Sequence, residues 1–308
     1  MIYHYKRNNL SPEIAVIIPF YGDKNDLANC IGGINQQIFN KPFEIIVVES
    51  GKDPELKQLM DSVQNSVLIS CDTQMYPGKA RNIGTAHSKS DLLAFIDADC
   101  VPVPNWLSDI YASLKNGNKI VIGPVIDLYP FHPIASIDNL LQFPDFQKHR
   151  PSKNITHFPA CNLGMNKELF FETGGFPEDI VTGEDVIFSQ KALAKNGGKV
   201  FFTRDASVMH SGRKRFNSFM EHNYSLGFHR GYLNLKMPAV KNKFRGSFLF
   251  ALLFGIRRLV YISVRTLQWN PAGFLRLVFY LPAVVLGLSA WVSGFWKGSK
   301  KYMEKKFE

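Results

Sequence analysis

Residues 78–102 read GKARNIGTAHSKSDLLAFIDADCVP, and this stretch carries the strongest structural signal in the chain. Its second half is a short apolar run, residues 92–96, followed at once by the carboxylates Asp97 and Asp99. An apolar run of that length between polar residues is typical of a strand that is buried on both faces. Its first half, residues 78–88, has the spacing of a helix. The stretch therefore predicts a helix followed by a central strand whose end carries two acids.

Strands and helices alternate along the chain before this stretch. The predicted strands are residues 13–20, 43–50, 66–71 and 92–97, and the predicted helices are 23–37, with Asp23 as its cap, 54–64 and 78–88. Alternation at this spacing predicts an α/β fold with a mainly parallel sheet. Further on, the pattern is less regular. It predicts helices at 104–115, 134–147, 167–173 and one ending at 195, with strands at 119–125 and 198–202.

The charge of the chain is unevenly distributed. The 308 residues are 45% hydrophobic and carry a net charge of +10, which excludes a disordered chain. From Arg213 to the end there are 17 lysines and arginines against three acids, a net charge of +14, which leaves −4 for residues 1–212. A basic region that is also apolar indicates an anionic membrane surface and not a nucleic acid. We therefore expect two parts, a domain at 1–212 and a membrane-associating helical region at 213–308.

The cysteines and the N-terminus bear on the compartment. The four cysteines form no C-x-x-C pair, so they predict reduced thiols and neither a zinc ribbon nor a disulfide framework. The first residues, MIYHYKRNNLSPE, lack the apolar core and cleavage site of a signal peptide. We expect residues 1–212 to lie in the cytoplasm.

Two apolar runs stand out in the basic region. Residues 277–296 contain no charge and have aromatic residues towards their ends. This run of 20 residues is long enough to cross a bilayer. Residues 247–264 are interrupted by Arg257 and Arg258 and fit an interfacial helix better. The runs can cross as a hairpin, lie in the interface, or pack as a soluble lid or dimer surface. We expect attachment to the cytoplasmic face of the cell membrane through this region, with the number of crossings open.

The two acids after residue 96 lie where an α/β sheet binds its ligands. Residues that follow a parallel strand face the crevice at the carboxyl edge of the sheet. In an extended segment residues i and i+2 point the same way, so Asp97 and Asp99 can share one cation. Hard oxygen ligands suit Mg²⁺ or Mn²⁺, which often bridge to phosphates. Acids at a strand end can also simply cap a turn.

Five motifs in order resemble those of the family 2 glycosyltransferases, which have the nucleotide-sugar-binding GT-A fold, over about residues 14–210. They are IAVIIPFYG, FEIIVVESGKDPE, GKARNIGTAHSKSDLLAFIDADCVP, ACNLGMNKELFFETGGF and GEDVIFSQKALAKNGGKVFF. The resemblance implies a Rossmann-like GT-A catalytic domain with a mainly parallel mixed sheet, followed here by C-terminal hydrophobic, basic helices.

The resemblance also implies a donor site. Its residues are Pro19, Tyr21, Glu49, Arg81, Asp97 and Asn162. Glu49 matches the acid that reads the base and ribose, although the family often has aspartate there. Arg81 is suited to the diphosphate because its planar fork matches phosphate oxygens, unless it is a solvated helix residue. Asn162 matches a segment near the sugar, and its neighbour Cys161 is interpreted as a small buried residue.

The resemblance also implies a metal site and a catalytic base. The resemblance implies Asp97, Asp99 and His210 as metal ligands, with Mn²⁺ or Mg²⁺ as the cation, although a lone histidine is often structural. An imidazole ligand favours Mn²⁺. Asp185 matches the general base, and its neighbour Glu184 orients the loop or the acceptor. Both acids also suit a helix N-terminus.

The sequence thus predicts a metal-dependent, inverting glycosyltransferase of the hexosyl type. Its expected donor is a UDP-sugar first and a GDP- or dTDP-sugar next, and its expected acceptor is a hydroxyl of a glycan or lipid-linked sugar. We expect a membrane partner and no nucleic acid. One alternative is a nucleotidyltransferase, although these enzymes usually have a Gly-rich signature directly after the first strand and this chain has none there. The other is an inactive module that binds nucleotide sugars or carbohydrates.

Overall fold

The computed structural model describes residues 2–6, 11–51, 53–152, 155–236 and 246–305. It divides into two compact units: residues 1–126 with 151–210, the sheet unit, and residues 127–150 with 211–308, the helical unit. The two-domain division at residue 212 stays a prediction, and residues 127–150 belong with the helical unit. Residues 306–308, which end the predicted basic region, lie outside the described residues.

The strands of the described residues form two sheets. They are β1 (Ile2–Lys6), β2 (Ile14–Phe20), β3 (Phe43–Ser50), β4 (Ser66–Cys71), β5 (Leu92–Ile96), β6 (Cys100–Pro102), β7 (Ile120–Ile122), β8 (Val125–Asp127), β9 (Asn162–Asn166), β10 (Phe201–Phe202) and β11 (Val208–His210). The large sheet has the order β1-β4-β3-β2-β5-β9-β7-β10, and the small one the order β6-β11-β8.

The described residues contain eleven helices. They are α1 (Lys24–Asn35), α2 (Pro54–Asp61), α3 (Pro77–His87), α4 (Trp106–Lys115), α5 (Pro133–Gln142), α6 (Lys167–Thr173), α7 (Glu184–Lys195), α8 (Phe216–Lys236), α9 (Phe248–Trp269), α10 (Pro271–Phe279) and α11 (Leu281–Lys305). The predicted cap of α1 is confirmed, because the Asp23 side chain accepts a hydrogen bond from the Asn25 backbone N–H at 2.9 Å.

The centre of the large sheet is parallel. Strands β4, β3, β2 and β5 are neighbours that run the same way, while β1 and β9 pair antiparallel at either side of them. Strands β2 and β3 are almost continuously buried, as expected for strands covered on both faces. The predicted α/β fold with a mainly parallel mixed sheet is confirmed.

The sheet register brings three strand ends to one edge. Phe20 of β2 pairs with Glu49 of β3, and Ile17 of β2 pairs with Phe95 of β5. Because these strands are parallel, the residues that follow them share the carboxyl edge of the sheet. Asp97 follows β5 at that edge, where an open α/β sheet binds ligands.

Helix α3 packs closely on this part of the sheet. A Cβ added at Gly84 would lie 2.7 Å from Cγ2 of Ile17 and 3.3 Å from Cγ2 of Val48. A Cβ at Gly78, near the start of the helix, would lie 2.2 Å from the carbonyl oxygen of Pro177. Glycine at both positions therefore lets α3 approach the sheet at one end and the segment before α7 at the other.

Some predicted elements have different bounds. The strand predicted at 119–125 is two strands, β7 and β8, in different sheets. The break falls at Gly123, where an added Cβ would lie 1.8 Å from the Ala206 carbonyl oxygen, and at Pro124, which cannot donate to a ladder. The helix predicted at 134–147 ends at Gln142, because a residue before proline, here Phe143, disfavours the helical conformation. The helix predicted from residue 104 begins at Trp106, and β1 was not predicted.

The helical unit has a close contact between α8 and α11. Each helix carries a G-x-x-x-G pair, with Gly227 and Gly231 on α8 and Gly294 and Gly298 on α11. A Cβ added at any of the four would lie 2.0 to 2.2 Å from a backbone carbonyl oxygen of the facing helix. Small residues at this spacing let two backbones touch, a packing that is frequent between membrane helices.

The apolar run 277–296 is not one helix. It is divided at Tyr280 between α10 and α11, whose axes differ by 86°. Pro282 lies in the first turn of α11, where proline is tolerated, and it disfavours a continuous helix through this point. Within the described ranges no single helix has the length and apolar composition to cross a membrane, and only the bent pair of α10 and α11 meets that criterion jointly.

We expect Gly294→Ala to lower the free energy of unfolding by about 1 to 3 kcal/mol, because its Cβ would overlap the Tyr224 backbone oxygen 2.0 Å away. Urea unfolding followed by circular dichroism measures the change. The matched control is Gly32→Ala in α1, where nothing lies within 4 Å of the added Cβ. The control gains helix propensity and should not destabilise the protein. Equal effects of the two variants would contradict this packing.

Candidate active site

The two acids after β5 lie in a tight turn. The Cys100 backbone N–H donates to the Asp97 carbonyl oxygen at 3.0 Å, which closes the turn from residue 97 to residue 100. The prediction that these residues form an extended segment is therefore wrong, and a cation shared by Asp97 and Asp99 stays a prediction. Instead, the two carboxylates have different partners, Arg81 for Asp97 and His210 for Asp99.

Asp99 and His210 meet because of the small sheet. Strand β11 pairs antiparallel with β6, and the register places His210 opposite Cys100. The His210 Nε2 atom consequently lies 3.5 Å from Oδ2 of Asp99. This proximity, which the resemblance implied and spacing alone did not, joins two residues more than a hundred positions apart.

The side chains around Asp99 and His210 fit a divalent cation. Ligand atoms of Asp99, Cys100 and His210 all lie within 4.8 Å of one another. Burial raises the pKa of the Cys100 thiol well above its ordinary value, which keeps it protonated and a poor ligand. The carboxylate and the imidazole are the useful donors, and that pair suits Mn²⁺ better than Mg²⁺. Asp97 is not in this group, so its role as a ligand stays a prediction.

Arg81 connects two acids from different elements. Its Nη2 donates to Oδ1 of Asp97 at 2.6 Å, and its Nη1 donates to Oε1 of Glu184 at 2.7 Å. The side chain is only 3% exposed, and its guanidinium lies 5.3 Å from the centre of the Phe176 ring. Burial lowers the pKa of Arg81, but the charges of Asp97 and Glu184 more than offset this and raise it. We call these three residues the arginine clamp.

The arginine clamp changes the interpretation of Arg81. Both of its Nη atoms are engaged by carboxylates, so the structure gives it the role of holding the turn after β5 to the start of α7. Direct contact with a diphosphate stays a prediction. It is not a solvated helix arginine, since it is buried.

Asn82 strengthens the same connection and was not predicted. Its Nδ2 donates to the Phe176 carbonyl oxygen at 2.9 Å and to Glu178 at 3.0 Å, and its Oδ1 accepts from the Phe176 N–H at 2.8 Å. It therefore fixes the segment that leads to α7. The only signal in the sequence is its position directly after Arg81.

Asp185 lies at the N-terminus of α7, next to the arginine clamp. Gly183 caps this helix in a left-handed conformation with φ +91°, which favours glycine. Oδ1 of Asp185 accepts a hydrogen bond from the Val186 N–H at 2.8 Å. Burial, and secondly the adjacent charge of Glu184, raise the pKa of Asp185 to about 7. A carboxyl with that pKa can accept a proton near neutral pH, as a general base must.

The end of β3 is held by side-chain hydrogen bonds. Glu49 is buried; its Oε1 accepts from the Asp53 N–H at 2.7 Å and its Oε2 from the Ser70 hydroxyl at 2.6 Å. These bonds shape the loop after β3, and recognition of a nucleotide by Glu49 stays a prediction. Pro19 and Tyr21 lie at the end of β2, where Tyr21 is 68% exposed, and their donor contacts are likewise untested predictions.

The sugar contact predicted for Asn162 is corrected. Its side chain is fully buried in the sheet unit, and Oδ1 accepts from Trp106 Nε1 at 2.9 Å. Its Nδ2 donates to the carbonyl oxygens of Pro124 and Ala206 at 2.9 and 2.8 Å. A sugar hydroxyl would have to displace one of these bonds, so the buried side chain of Asn162 serves to join elements of the fold. Cys161 is buried, as predicted.

We expect Arg81→Met to lower the free energy of unfolding by about 3 kcal/mol, because it leaves Asp97 and Glu184 without their shared partner. The matched control is Lys79→Met, which removes an exposed positive charge from the same helix. Thermal unfolding of the three proteins at pH 7.5 measures the difference. A loss no larger than that of the control would show that the arginine clamp contributes nothing to stability.

Comparison with known proteins supports this interpretation of the fold. The chain is 26% identical over 227 residues to the glycosyltransferase AglE of Haloferax volcanii, a match that covers 70% of this chain and 72% of that protein. It also resembles the solved structure of S. aureus TarS 1-349 in complex with UDP-GlcNAc, with a TM-score of 0.53 at 16% identity, over 95% of this chain and 92% of that chain. Against a longer TarS chain it spans 55% of the length.

A second solved structure has the same likeness and contains a metal. The mannosyltransferase PcManGT from Pyrobaculum calidifontis, in complex with GDP-Man and Mn²⁺, has a TM-score of 0.54 at 15% identity, over 98% of this chain and 88% of that chain. At these identities the likeness concerns the fold alone, and it confirms the predicted GT-A fold.

The family itself is established by sequence. A sequence model described as "Glycosyl transferase family 2" matches residues 15–173, which is more than half of the 308-residue chain. The matched region includes Glu49, Arg81 and both acids of the turn after β5, and Asp185 and His210 follow it. The chain therefore belongs to glycosyl transferase family 2, as its motifs predicted.

Proposed function

We propose that this protein is an inverting, metal-dependent glycosyltransferase of the hexosyl type. It moves a sugar from a nucleoside diphosphate sugar to a hydroxyl of a glycan or lipid-linked acceptor at the cytoplasmic face of the cell membrane, where the C-terminal region attaches it. The observation that carries the chemistry is the arginine clamp, because Arg81 bonds both to Asp97 after β5 and to Glu184, the neighbour of Asp185.

Asp185 supplies the base in this proposal. Its carboxylate takes the proton of the acceptor hydroxyl while the oxygen forms a bond to the anomeric carbon. The bond from that carbon to the diphosphate breaks on the opposite side, so the configuration inverts. Base assistance of this kind contributes about 10²- to 10⁴-fold to the rate. Glu184 pairs with Arg81 and holds the helix that carries the base.

The donor side uses the edge of the sheet. Asp99 and His210, with Asp97 at the start of the same turn, would hold the cation. A bound divalent cation neutralises the charge that develops on the leaving diphosphate. Glu49, near the end of β3, and Tyr21, directly after β2, lie at neighbouring strand ends, which suits recognition of the nucleoside. UDP-GlcNAc in TarS and GDP-Man with Mn²⁺ in PcManGT support UDP- and GDP-sugars as donors and Mn²⁺ as the cation.

A donor and metal panel tests the proposal. UDP-, GDP- and dTDP-sugars are incubated with membrane fractions that contain the protein, in Mn²⁺, in Mg²⁺ and in EDTA, and release of nucleoside diphosphate is measured. We expect release from one donor class, highest in Mn²⁺ and lost in EDTA. Asp99→Asn should raise the Mn²⁺ concentration for half-maximal rate by at least about tenfold, because it removes a ligand.

The control for that variant is Asp91→Asn, an exposed acid directly before β5 that should leave the metal requirement unchanged. The anomeric configuration of the product, read by proton NMR, tests inversion. Nucleotide binding without release from any donor would contradict transfer and favour a non-catalytic binding module.

The base has its own pH signature. Because Asp185 is active when deprotonated and its pKa is about 7, kcat/KM should rise about tenfold from pH 6 to pH 8 and then level. Asp185→Asn should lose at least about a hundredfold of the rate while nucleotide binding persists. Asp179→Asn, an exposed acid on the preceding loop, should keep the rate and the profile. A profile that is flat above pH 5 would contradict the assignment.

A further inference from the structure

The helical unit has a continuous apolar face on α9. Six large side chains, each between 45% and 65% exposed, follow one another at intervals of three or four residues: Leu249, Leu253, Ile256, Val260, Val264 and Leu267. This spacing places them on one side of the helix. The row, which we call the α9 stripe, extends for about 27 Å at 1.5 Å per residue.

A second apolar surface lies where α10 meets α11. Leu275, Val278, Phe279 and Leu281 are all more than half exposed at this bend, and Phe131 is 91% exposed. Phe131, Leu275, Val278 and Phe279 line an open cleft of about 490 Å³. We call this surface the elbow. Monomeric soluble proteins seldom expose contiguous apolar patches of such extent, and those that do usually have a partner there.

Two of the three arginines of α9 are turned away from the stripe. Arg258 donates from Nη2 to the Leu141 carbonyl oxygen at 2.8 Å, and its guanidinium lies 4.9 Å from the Trp291 ring centre. Arg265 lies 3.7 Å from Oδ1 of Asp145, inside the helical unit. Only Arg257 stays exposed, at the edge of the stripe. Of the two arginines that interrupt the apolar run in sequence, Arg258 is therefore turned inward, and Arg257 lies at the edge of the stripe and not within it.

Charge decides between a second copy and a bilayer as the occupant. Residues 213–308 carry 17 lysines and arginines against three acids. A second copy would bring two strongly basic regions together, which repel, whereas anionic lipid headgroups attract them. A bilayer with anionic lipids is the occupant that complements both the apolar stripe and the net positive charge of residues 213–308.

The position of Arg257 argues for an interfacial helix. If α9 crossed the bilayer, this exposed arginine would lie near its centre, at a cost of about 2.5 to 3.5 kcal/mol. In the interface, the same side chain reaches a headgroup phosphate while the stripe faces the acyl chains. The 86° bend between α10 and α11 likewise suits shallow insertion of the elbow into the interface and not a continuous span.

We propose that the α9 stripe and the elbow insert into the interfacial layer of an anionic bilayer, with α9 lying along the membrane and not crossing it. This inference rests on the membrane attachment in the proposed function and identifies the surface that makes it. It keeps the enzyme on the surface in which a lipid-linked acceptor is dissolved.

The test is flotation of the full chain with vesicles. Wild type should float with vesicles of phosphatidylcholine and phosphatidylglycerol, and much less with phosphatidylcholine alone. Leu253→Glu/Val260→Glu should reduce binding to the anionic vesicles by at least about tenfold, because two carboxylates would enter the apolar layer. The matched control is Ile38→Glu/Phe171→Glu, which alters two equally exposed apolar residues of the sheet unit and should keep binding.

Two further readouts separate the possible causes of failure. Release of nucleoside diphosphate from the donor without vesicles should be equal in all three proteins, so a loss of binding with activity retained supports the proposal independently of the chemistry. Absence of wild-type binding, or equal loss in both double variants, would overturn it. A wild-type dimer that only the α9 variant converts to monomers, without vesicle binding, would assign the surface to a second copy and would also overturn it.

Discussion

The arginine clamp is the interaction on which the site depends. Asp97 belongs to the turn after a central strand, and Glu184 belongs to a helix more than eighty residues later. Neither position is fixed relative to the other by the backbone between them. A buried guanidinium with carboxylates at 2.6 and 2.7 Å on its two Nη atoms joins them in one geometry. Because Asp185 is next to Glu184, the same contacts also position the carboxyl group of Asp185, which we propose as the base.

Much of the fold could be predicted from the sequence. The central strands are recognisable because burial on both faces makes them continuously apolar, and β3, β4 and α6 have the predicted bounds. Two of the boundaries that differ, at Gly123 and at Phe143, depend on a neighbouring segment or on a following proline. Local patterns describe local structure, so they identify the strands and helices better than the places where tertiary contacts end them.

The site was less predictable, because its contacts join distant residues. The register of β11 on β6 brings His210 to Asp99, and no spacing in the sequence encodes that pairing. Asn162 was interpreted by position in a motif, while its amide in fact satisfies three buried groups. In the helical unit, Arg257 and Arg258 interrupt an apolar run in the sequence, yet Arg258 turns inward and Arg257 lies only at the edge of the α9 stripe. In each case the direction of a side chain decides its role, and direction follows from packing.

The most direct test of the central claim is a double-mutant cycle between Arg81 and Glu184. Unfolding free energies and kcat/KM are measured for the wild type, Arg81→Met, Glu184→Gln and the double variant. If the arginine holds the strand end and the catalytic helix together, the two substitutions should be coupled by about 1 to 3 kcal/mol in stability, and the double variant should lose little more activity than either single one. Effects that add to within about 0.5 kcal/mol in both quantities would contradict it.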